Sequence, residues 1–290
     1  MHYMNINKLS YTKEDADKDV LPVQQQPSQP KESADSDAQI EEALFLSKSL
    51  AEGYMKQEGE LSPALYFVIS GGEIRERNYL QAIEKKQEFS SLRIIFMTSE
   101  RKKGGLTPQM MYTRVETAFS NGYIEQNGVH YDIMEIDAVY LLTDVDHYSS
   151  ELQNLLPETA ARPYRWIVSH PDFEIWLYYS YFDNPLTDLA SIACLPQSEM
   201  SSALKTKNGE LKSGGIDPRK AFEQIPVAIS NSLKNYKEDE YGIPALFATQ
   251  MHIFVQNVIQ VIGHEYKQWI VKKQLLSLIH ISEPTRHSLI

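Results

Sequence analysis

The chain has 290 residues, of which 42% are hydrophobic and 10% aromatic, enough for one sizeable core or for two small domains. Its one cysteine excludes an internal disulfide and a thiolate zinc site, and its eight histidines show no metal-ligand spacing. The net charge is -11, so the chain lacks the overall basic field with which many proteins bind nucleic acid.

The charge is unevenly spread, and the hydrophobic residues are broken into short runs. Residues 1–60 carry 12 acidic against 6 basic side chains. No apolar run approaches the roughly 18 residues of a membrane span, and the first residues are polar and acidic rather than a basic segment followed by an apolar one. The sequence therefore predicts a cytoplasmic protein with no membrane partner.

The amino-terminal part falls into two segments. Residues 1–38 are polar and rich in glutamine and proline, a composition that predicts a disordered acidic tail. Residues 39–60 contain a predicted amphipathic helix from Gln39 to Met55, whose apolar face we expect to dock on the main domain. Its apolar residues are Ile40, Leu44, Leu46, Leu50 and Tyr54.

Residues 61–183 alternate short apolar runs with longer amphipathic segments. This alternation predicts an α/β domain with a parallel sheet covered by helices, and Asn127-Gly128 predicts a small inserted hairpin. The predicted strands span 65–69, 92–97, 138–142 and 164–168, the helices span 75–86, 108–119, 149–156 and 173–182, and the hairpin lies within 121–136.

The carboxyl-terminal part differs in pattern. Residues 184–275 open with a polar stretch and continue with predicted helices near 218–233 and 244–262, which we interpret as a helical cap on the sheet. Residues 276–290 resemble the translation of a sequencing adapter. We exclude them from functional reasoning, and we expect the natural carboxyl terminus to be missing.

Carboxylates follow two of the predicted strands. Glu73 comes after Gly71-Gly72 with Glu76 one turn further on, and Asp144 and Asp146 end the run at 138–142. The carboxyl ends of parallel strands share one edge, where these acids could meet around a divalent cation. The alternatives are that Glu73 only leads into a helix and that the aspartates lie in a solvated turn.

Glu174 is the third acidic position of interest. It is flanked by Phe173 and Trp176 in an apolar helix, so a buried Glu174 requires a partner such as Arg165 or a metal. The alternative is a surface position on a half-exposed helix. His170, just ahead of this helix, is expected to form local hydrogen bonds.

Two basic stretches are candidates for contacts with nucleic acid. Arg101, Lys102 and Lys103 follow the second predicted strand, and Lys205 and Lys207 lie in the cap. Basic residues near a metal site can hold a phosphate backbone. Most charged runs are solvated, and that interpretation stays open for both stretches.

Three stretches together resemble one known family. They are Gly72-Glu73-Ile74-Arg75-Glu76-Arg77-Asn78-Tyr79-Leu80, Asp144-Val145-Asp146, and Ser169-His170-Pro171-Asp172-Phe173-Glu174-Ile175-Trp176-Leu177. In this order they are similar to the RloB-like family of prokaryotic proteins, whose pattern is GExTExxYF, DxD and SNPxFExWLLLH. The resemblance covers residues 64–182 and extends to about 262. The chain departs from the pattern at Ser70, Arg75, His170, Asp172 and Ser180.

The resemblance implies a Toprim-like or Rossmann-like fold and a function. Glu73 would be the acid/base or metal-bridging residue, and Asp144 and Asp146 would bind Mg2+ or Mn2+. The family occurs with restriction and antiphage loci, often beside an ATPase. We therefore expect a Mg2+-dependent nuclease acting on DNA or on RNA such as tRNA, with an ATPase as a partner. The alternative is a non-catalytic sensor or scaffold subunit of an ATPase-containing defence complex, and the oligomeric state stays open.

Overall fold

A computed structural model describes residues 63–85, 89–99, 105–133 and 137–282, the last seven of these by backbone alone. The predicted tail at 1–38, the predicted helix at 39–60, the basic residues at 101–103 and residues 283–290 lie outside this part of the chain. No described helix combines the length and the apolar character needed to cross a membrane.

Six strands and nine α-helices make up the described structure. The strands are β1 (Ala64–Ser70), β2 (Leu92–Met97), β3 (Tyr123–Gln126), β4 (Val129–Asp132), β5 (Ala138–Asp144) and β6 (Arg165–Ser169). The helices are α1 (Arg75–Glu84), α2 (Pro108–Asn121), α3 (Ser149–Thr159), α4 (Glu174–Tyr179), α5 (Pro185–Asp188), α6 (Gln197–Leu211), α7 (Pro218–Ala221), α8 (Ile225–Asn235) and α9 (Met251–Ser282), with a 3-10 turn at Phe222–Gln224.

The main sheet confirms the predicted α/β architecture. Its four parallel strands lie in the order β2-β1-β5-β6, and β3 and β4 form the separate antiparallel hairpin. The chain moves from β1 outward to β2 and later returns to place β5 on the other side of β1. The strand order therefore switches between β1 and β5, and ligands of open α/β sheets bind outside the carboxyl ends of strands at such a point.

Helices cover both faces of the sheet, which is why its strands are almost continuously apolar. In β1, Tyr66 and Val68 face one core, whereas Phe67 and Ile69 face the other. The first core is shared with α1, α4 and the cap helices, and the second with α2 and α3. The cap therefore packs on the same side of the sheet as α1.

The cap contains one helix that the sequence analysis missed. We predicted a polar stretch where α6 forms, because Asn208-Gly209 is typical of a turn and the segment is mostly polar. Only Met200, Leu204 and Asn208 of this helix are buried, so its apolar face is too narrow to give a strong periodic signal.

The predicted helix at 218–233 is interrupted, because Pro226 lies in the first turn of a new helix, α8.

Two glycines meet where the loop after β1 passes the entry to α2. A Cβ added to Gly105 would lie 2.0 Å from the carbonyl oxygen of Gly71, a backbone atom that cannot swing away. The backbone of Gly71 is itself held, because its N–H donates to Leu142 O over 3.0 Å. Gly105 therefore permits a close backbone contact next to the carboxyl edge.

We predict that Gly105→Ala destabilises the protein by about 1 to 3 kcal/mol, as overpacking against fixed atoms usually does. Urea unfolding followed by circular dichroism measures this change. Gly209→Ala is the matched control, because Gly209 is helical and a Cβ there meets nothing within 4 Å. The control should be neutral or slightly stabilising. Equal stability of the two variants would contradict the prediction.

Candidate functional site

Two loops join at the carboxyl edge of the sheet, beside the switch point. β5 ends at Asp144, which pairs with Ser169 at the end of β6. Beyond the strands, Val145 N donates to Ser169 O over 2.9 Å, and Asp146 N donates to Pro171 O over 3.2 Å. These hydrogen bonds continue the pairing past the strand ends and hold the acidic residues of both loops together.

Glu76 is the buried carboxylate of the first turn of α1. It is 7% exposed, and its side chain covers Gly72, where an added Cβ would lie 2.0 Å from Glu76 Oε1. Burial raises the pKa of Glu76, and the charge of Glu174 raises it further, while a backbone hydrogen bond, Lys205 and Arg75 lower it. Gly72 therefore leaves the space in which this carboxylate sits.

Asp144 and Asp172 share the same environment. Burial raises the pKa of the half-buried Asp144 well above its ordinary value, and the charges of Asp172 and Glu76 add to the effect. Burial also raises the pKa of Asp172 to about 7, with the charge of Glu174 as the next cause. We call Glu76, Asp144 and Asp172 the acidic cluster. Its members repel one another, and a cation would relieve that repulsion.

Lys205 brings a positive charge to the acidic cluster. It lies on α6, with its Nζ 3.8 Å from Asp172 Oδ2, and its side chain is 56% exposed. Its charge lowers the pKa of all three members of the acidic cluster. Lys205 therefore faces the sheet edge from the cap and has room to reach a ligand.

The sequence analysis did not select Asp172 as a site residue. It was noted only as a departure from the family pattern, although it follows β6 and so lies at the same edge as Asp144. Its Oδ1 accepts a hydrogen bond from Glu174 N over 3.0 Å. Its position just past the end of β6 could have identified it, because the same kind of position identified Asp144 and Asp146.

Asp146 is near the acidic cluster, and one of its two carboxylate oxygens has no hydrogen-bond partner among the described residues. Its Oδ2 lies 3.6 Å from His147 Nε2 at the surface. Its Oδ1 is buried and accepts no hydrogen bond from the described residues. A buried carboxylate oxygen without a donor is costly, and a cation is one ligand that satisfies it.

Glu174 is satisfied by an ion pair rather than by a metal. Arg75 Nε lies 2.7 Å from Glu174 Oε1 and Arg75 Nη2 lies 2.8 Å from Oε2, a bidentate pair. The suggestion of Arg165 as its partner was wrong, because Arg165 is exposed at the opposite end of β6. The Glu174 side chain is 2% exposed, so the pair lies in the interior on the carboxylate side.

The other predicted site residues are exposed, have other partners or lie outside the described chain. Glu73 is exposed in the loop ahead of α1. His170 does not bond locally as predicted, because its Nδ1 lies 2.9 Å from Pro244 O, 74 residues away in the cap, and burial lowers its pKa. Lys207 pairs with Glu210 on the surface of α6 over 3.0 Å. The structure thus brings Glu76 near enough to Asp144 for its charge to raise the pKa of Asp144, and the role of Glu73 stays a prediction.

No three His, Cys, Asp or Glu side chains among the described residues are arranged to hold a metal ion. The chemistry of the donors nevertheless fits a hard divalent cation, because the acidic cluster and Asp146 offer carboxylate oxygens at one edge. The buried Asp146 Oδ1 and the raised pKa values of Glu76 and Asp144 both indicate unbalanced negative charge.

We predict that the acidic cluster makes metal-free stability fall as the pH rises. The pKa of Asp172 is about 7 in the folded protein, against an ordinary 3.8, so the folded state keeps a proton that the unfolded chain releases. The resulting stabilisation is complete below about pH 4 and is lost as the pH rises through about 7. The Asp172→Asn variant should not lose stability in this way, because its side chain does not titrate. Its amide oxygen can still accept the hydrogen bond from Glu174 N.

Urea unfolding of both proteins between pH 4.5 and 8, with a chelator present, tests this prediction. The free energy of unfolding of the wild type minus that of the variant should fall by up to about 3 kcal/mol, because the range from pH 4.5 to the folded pKa of about 7 covers about 2.5 pKa units at about 1.4 kcal/mol each. The lowered pKa values of His170 and His252 act in the opposite sense but are common to both proteins. A difference that stays constant with pH would contradict the assignment.

Comparison with known protein families gives one match, and it spans the sheet, the acidic cluster and most of the cap. The model of the RloB-like protein family matches residues 66–258. Neither the curated proteins nor the solved structures contain a match to the chain. Because the matched segment covers well over half of its length, the chain belongs to the RloB-like protein family.

Proposed function

We propose that this protein is a Mg2+-dependent, Toprim-type nuclease that cleaves phosphodiester bonds. The observation that carries the proposal is the pair of raised pKa values of Glu76 and Asp144 beside the switch point of the sheet, where burial is the main cause and the charge of Glu76 adds to the effect at Asp144. Enzymes place like charges together where a cation or a proton transfer uses them, so strongly perturbed acids in such a position favour a catalytic site.

Each residue of the site has a role in this proposal. Glu76, Asp144 and Asp146 would hold the cation, which supplies positive charge to the scissile phosphate and lowers the pKa of a bound water. Lys205 would bind a phosphate oxygen, because its exposed ammonium already lies beside the acidic cluster. The sequence analysis gave the first role to Glu73, whereas burial and charge coupling favour Glu76.

The substrate in this proposal is DNA or RNA, tRNA included. The overall charge of -11 repels polyanions, so binding depends on local positive groups such as Lys205 and Lys207. Arg101, Lys102 and Lys103, which follow β2 in the sequence, would add to them. The similarity to RloB-like proteins supports a role in antiphage or restriction-linked defence beside an ATPase.

A non-catalytic sensor or scaffold subunit is the second candidate. Two observations favour it: the net charge of -11, and the absence of a ready metal-holding arrangement among the described residues. In this alternative the ATPase partner supplies the activity. Both candidates place the protein in a defence complex, so an assay for cleavage of nucleic acid distinguishes between them.

Cleavage assays on single-stranded DNA, double-stranded DNA and tRNA, with Mg2+ or Mn2+ and with or without the neighbouring ATPase, test the nuclease proposal. Asp144→Asn and Glu76→Gln should each reduce cleavage at least about 100-fold. Glu73→Gln is the matched control, and it should retain activity within a few fold. If Glu73→Gln alone abolished cleavage, Glu73 rather than Glu76 would be the glutamate that holds the cation. No wild-type cleavage under any of these conditions would leave the sensor candidate.

Metal-dependent stability gives an independent prediction. A cation that binds only the folded state stabilises it by about 2.7 kcal/mol at a hundredfold excess over its Kd, so Mg2+ or Mn2+ should raise the melting temperature. Asp144→Asn should be more stable than wild type without metal and respond less to it, because one repelling charge and one ligand are gone. Thermal unfolding with and without the cation measures both effects. Equal responses would place the cation elsewhere.

A further inference from the structure

The distal part of α9 presents an apolar groove on its outer side. The groove has a volume of about 590 Å³, and Val271 and Leu275 on its floor are 45% and 55% exposed. The other side of the helix carries Tyr266 and Trp269, which are buried in the core. The lining residues share one helical stripe, namely His264, Lys267, Gln268, Val271, Lys272 and Leu275. The core therefore covers one apolar side of this helix, and none of the residues described elsewhere in the chain lines the second.

The start of β1 lies beside this groove. Ala64 N donates to Ser91 O over 3.1 Å. Ser90 N and Ser91 N in turn donate to the carboxylate of Glu265 on α9, over 2.9 and 3.3 Å. Glu265 follows His264, the first residue of the groove. The chain that precedes β1 therefore enters the sheet next to α9.

The length of the preceding chain suits the groove. The predicted helix at 39–55 is separated from Pro63 by eight residue steps, which span up to about 27 Å when extended. The groove runs for eleven steps from His264 to Leu275, about 16 Å along a helix. The linker can thus place the predicted helix anywhere along the groove.

The two surfaces are also chemically complementary. Ile40, Leu44 and Tyr54 fall on one face of the predicted helix and match the apolar floor of the groove. The segment 39–55 carries three glutamates against one lysine, whereas Lys267 and Lys272 line the groove. Opposite charges at the rim of an apolar contact favour the correct docking orientation.

We infer that residues 39–55 form a helix that packs in the α9 groove of the same chain. Its apolar face covers Val271 and Leu275, and its glutamates face Lys267 and Lys272. This is helix-in-groove recognition in which the short linker supplies a high effective concentration. The inference does not depend on the chemistry of the acidic cluster.

Thiol accessibility in the full-length chain tests this inference. Cys194, the only cysteine, is replaced by serine, and Val271→Cys places a thiol in the groove. Alkylation of that thiol should accelerate at least tenfold when Leu44→Glu disrupts the apolar face of the segment. Ser49→Glu, on the opposite side of the predicted helix, is the matched control and should leave the rate unchanged. Leu186→Cys, 76% exposed on α5, reports the rate of an uncovered thiol.

Cross-linking identifies the occupant of the groove. With Leu44→Cys and Val271→Cys in one chain, oxidation at low concentration should give an intramolecular disulfide in a monomeric product. A disulfide between two chains would overturn the inference in favour of a second copy of the protein. Alkylation of the Val271→Cys thiol as fast as that of Leu186→Cys, or a rate unchanged by Leu44→Glu, would also overturn it.

Discussion

The bidentate ion pair between Arg75 and Glu174 joins α1 to α4 and extends to the cap. Arg75 Nη2 also donates to Ile216 O over 3.0 Å, and Asn208 Nδ2 donates to Glu174 O over 3.1 Å. The pair therefore links the start of α1, the start of α4, and two segments of the cap. Breaking such a pair leaves a buried charge uncompensated, which typically costs about 3 to 5 kcal/mol. Loss of either partner should therefore weaken the packing of the cap against the sheet.

Glu174 and its acidic neighbours differ in how their negative charge is compensated. Glu174 is neutralised by two short contacts with Arg75. The acidic cluster instead contains three mutually repelling acids and one nearby ammonium, that of Lys205, at 3.8 Å. Natural proteins retain destabilising charge of this kind mainly where a ligand uses it. The same physical comparison explains why the buried glutamate of α4 is a weak candidate ligand despite its position.

The sequence predicted the sheet better than it predicted the site. Strands buried on both faces are short apolar runs whose ends mark the carboxyl edge, so β5 and Asp144 could be located from local pattern alone. The choice between Glu73 and Glu76 depends on where α1 begins and which way it faces, and a shift of a few residues reverses that choice. Arg75 as the partner of Glu174, 99 residues away, depends on tertiary packing that local pattern does not encode. The narrow apolar face of α6 likewise hid the helix that carries Lys205.

An aromatic cluster holds α1 one turn beyond the ion pair, on the same face of the helix. Tyr79 packs its ring edge-on against Phe173, Trp176 and Phe222, at centroid distances of 5.8, 6.2 and 5.4 Å. Glu76 lies one turn before Tyr79 and directly after Arg75, so α1 is anchored on both sides of its carboxylate. The helix cannot rotate without breaking the ion pair or the aromatic contacts. The core therefore fixes the helix that carries Glu76, whereas the exposed side chain of Lys205 is free to adjust.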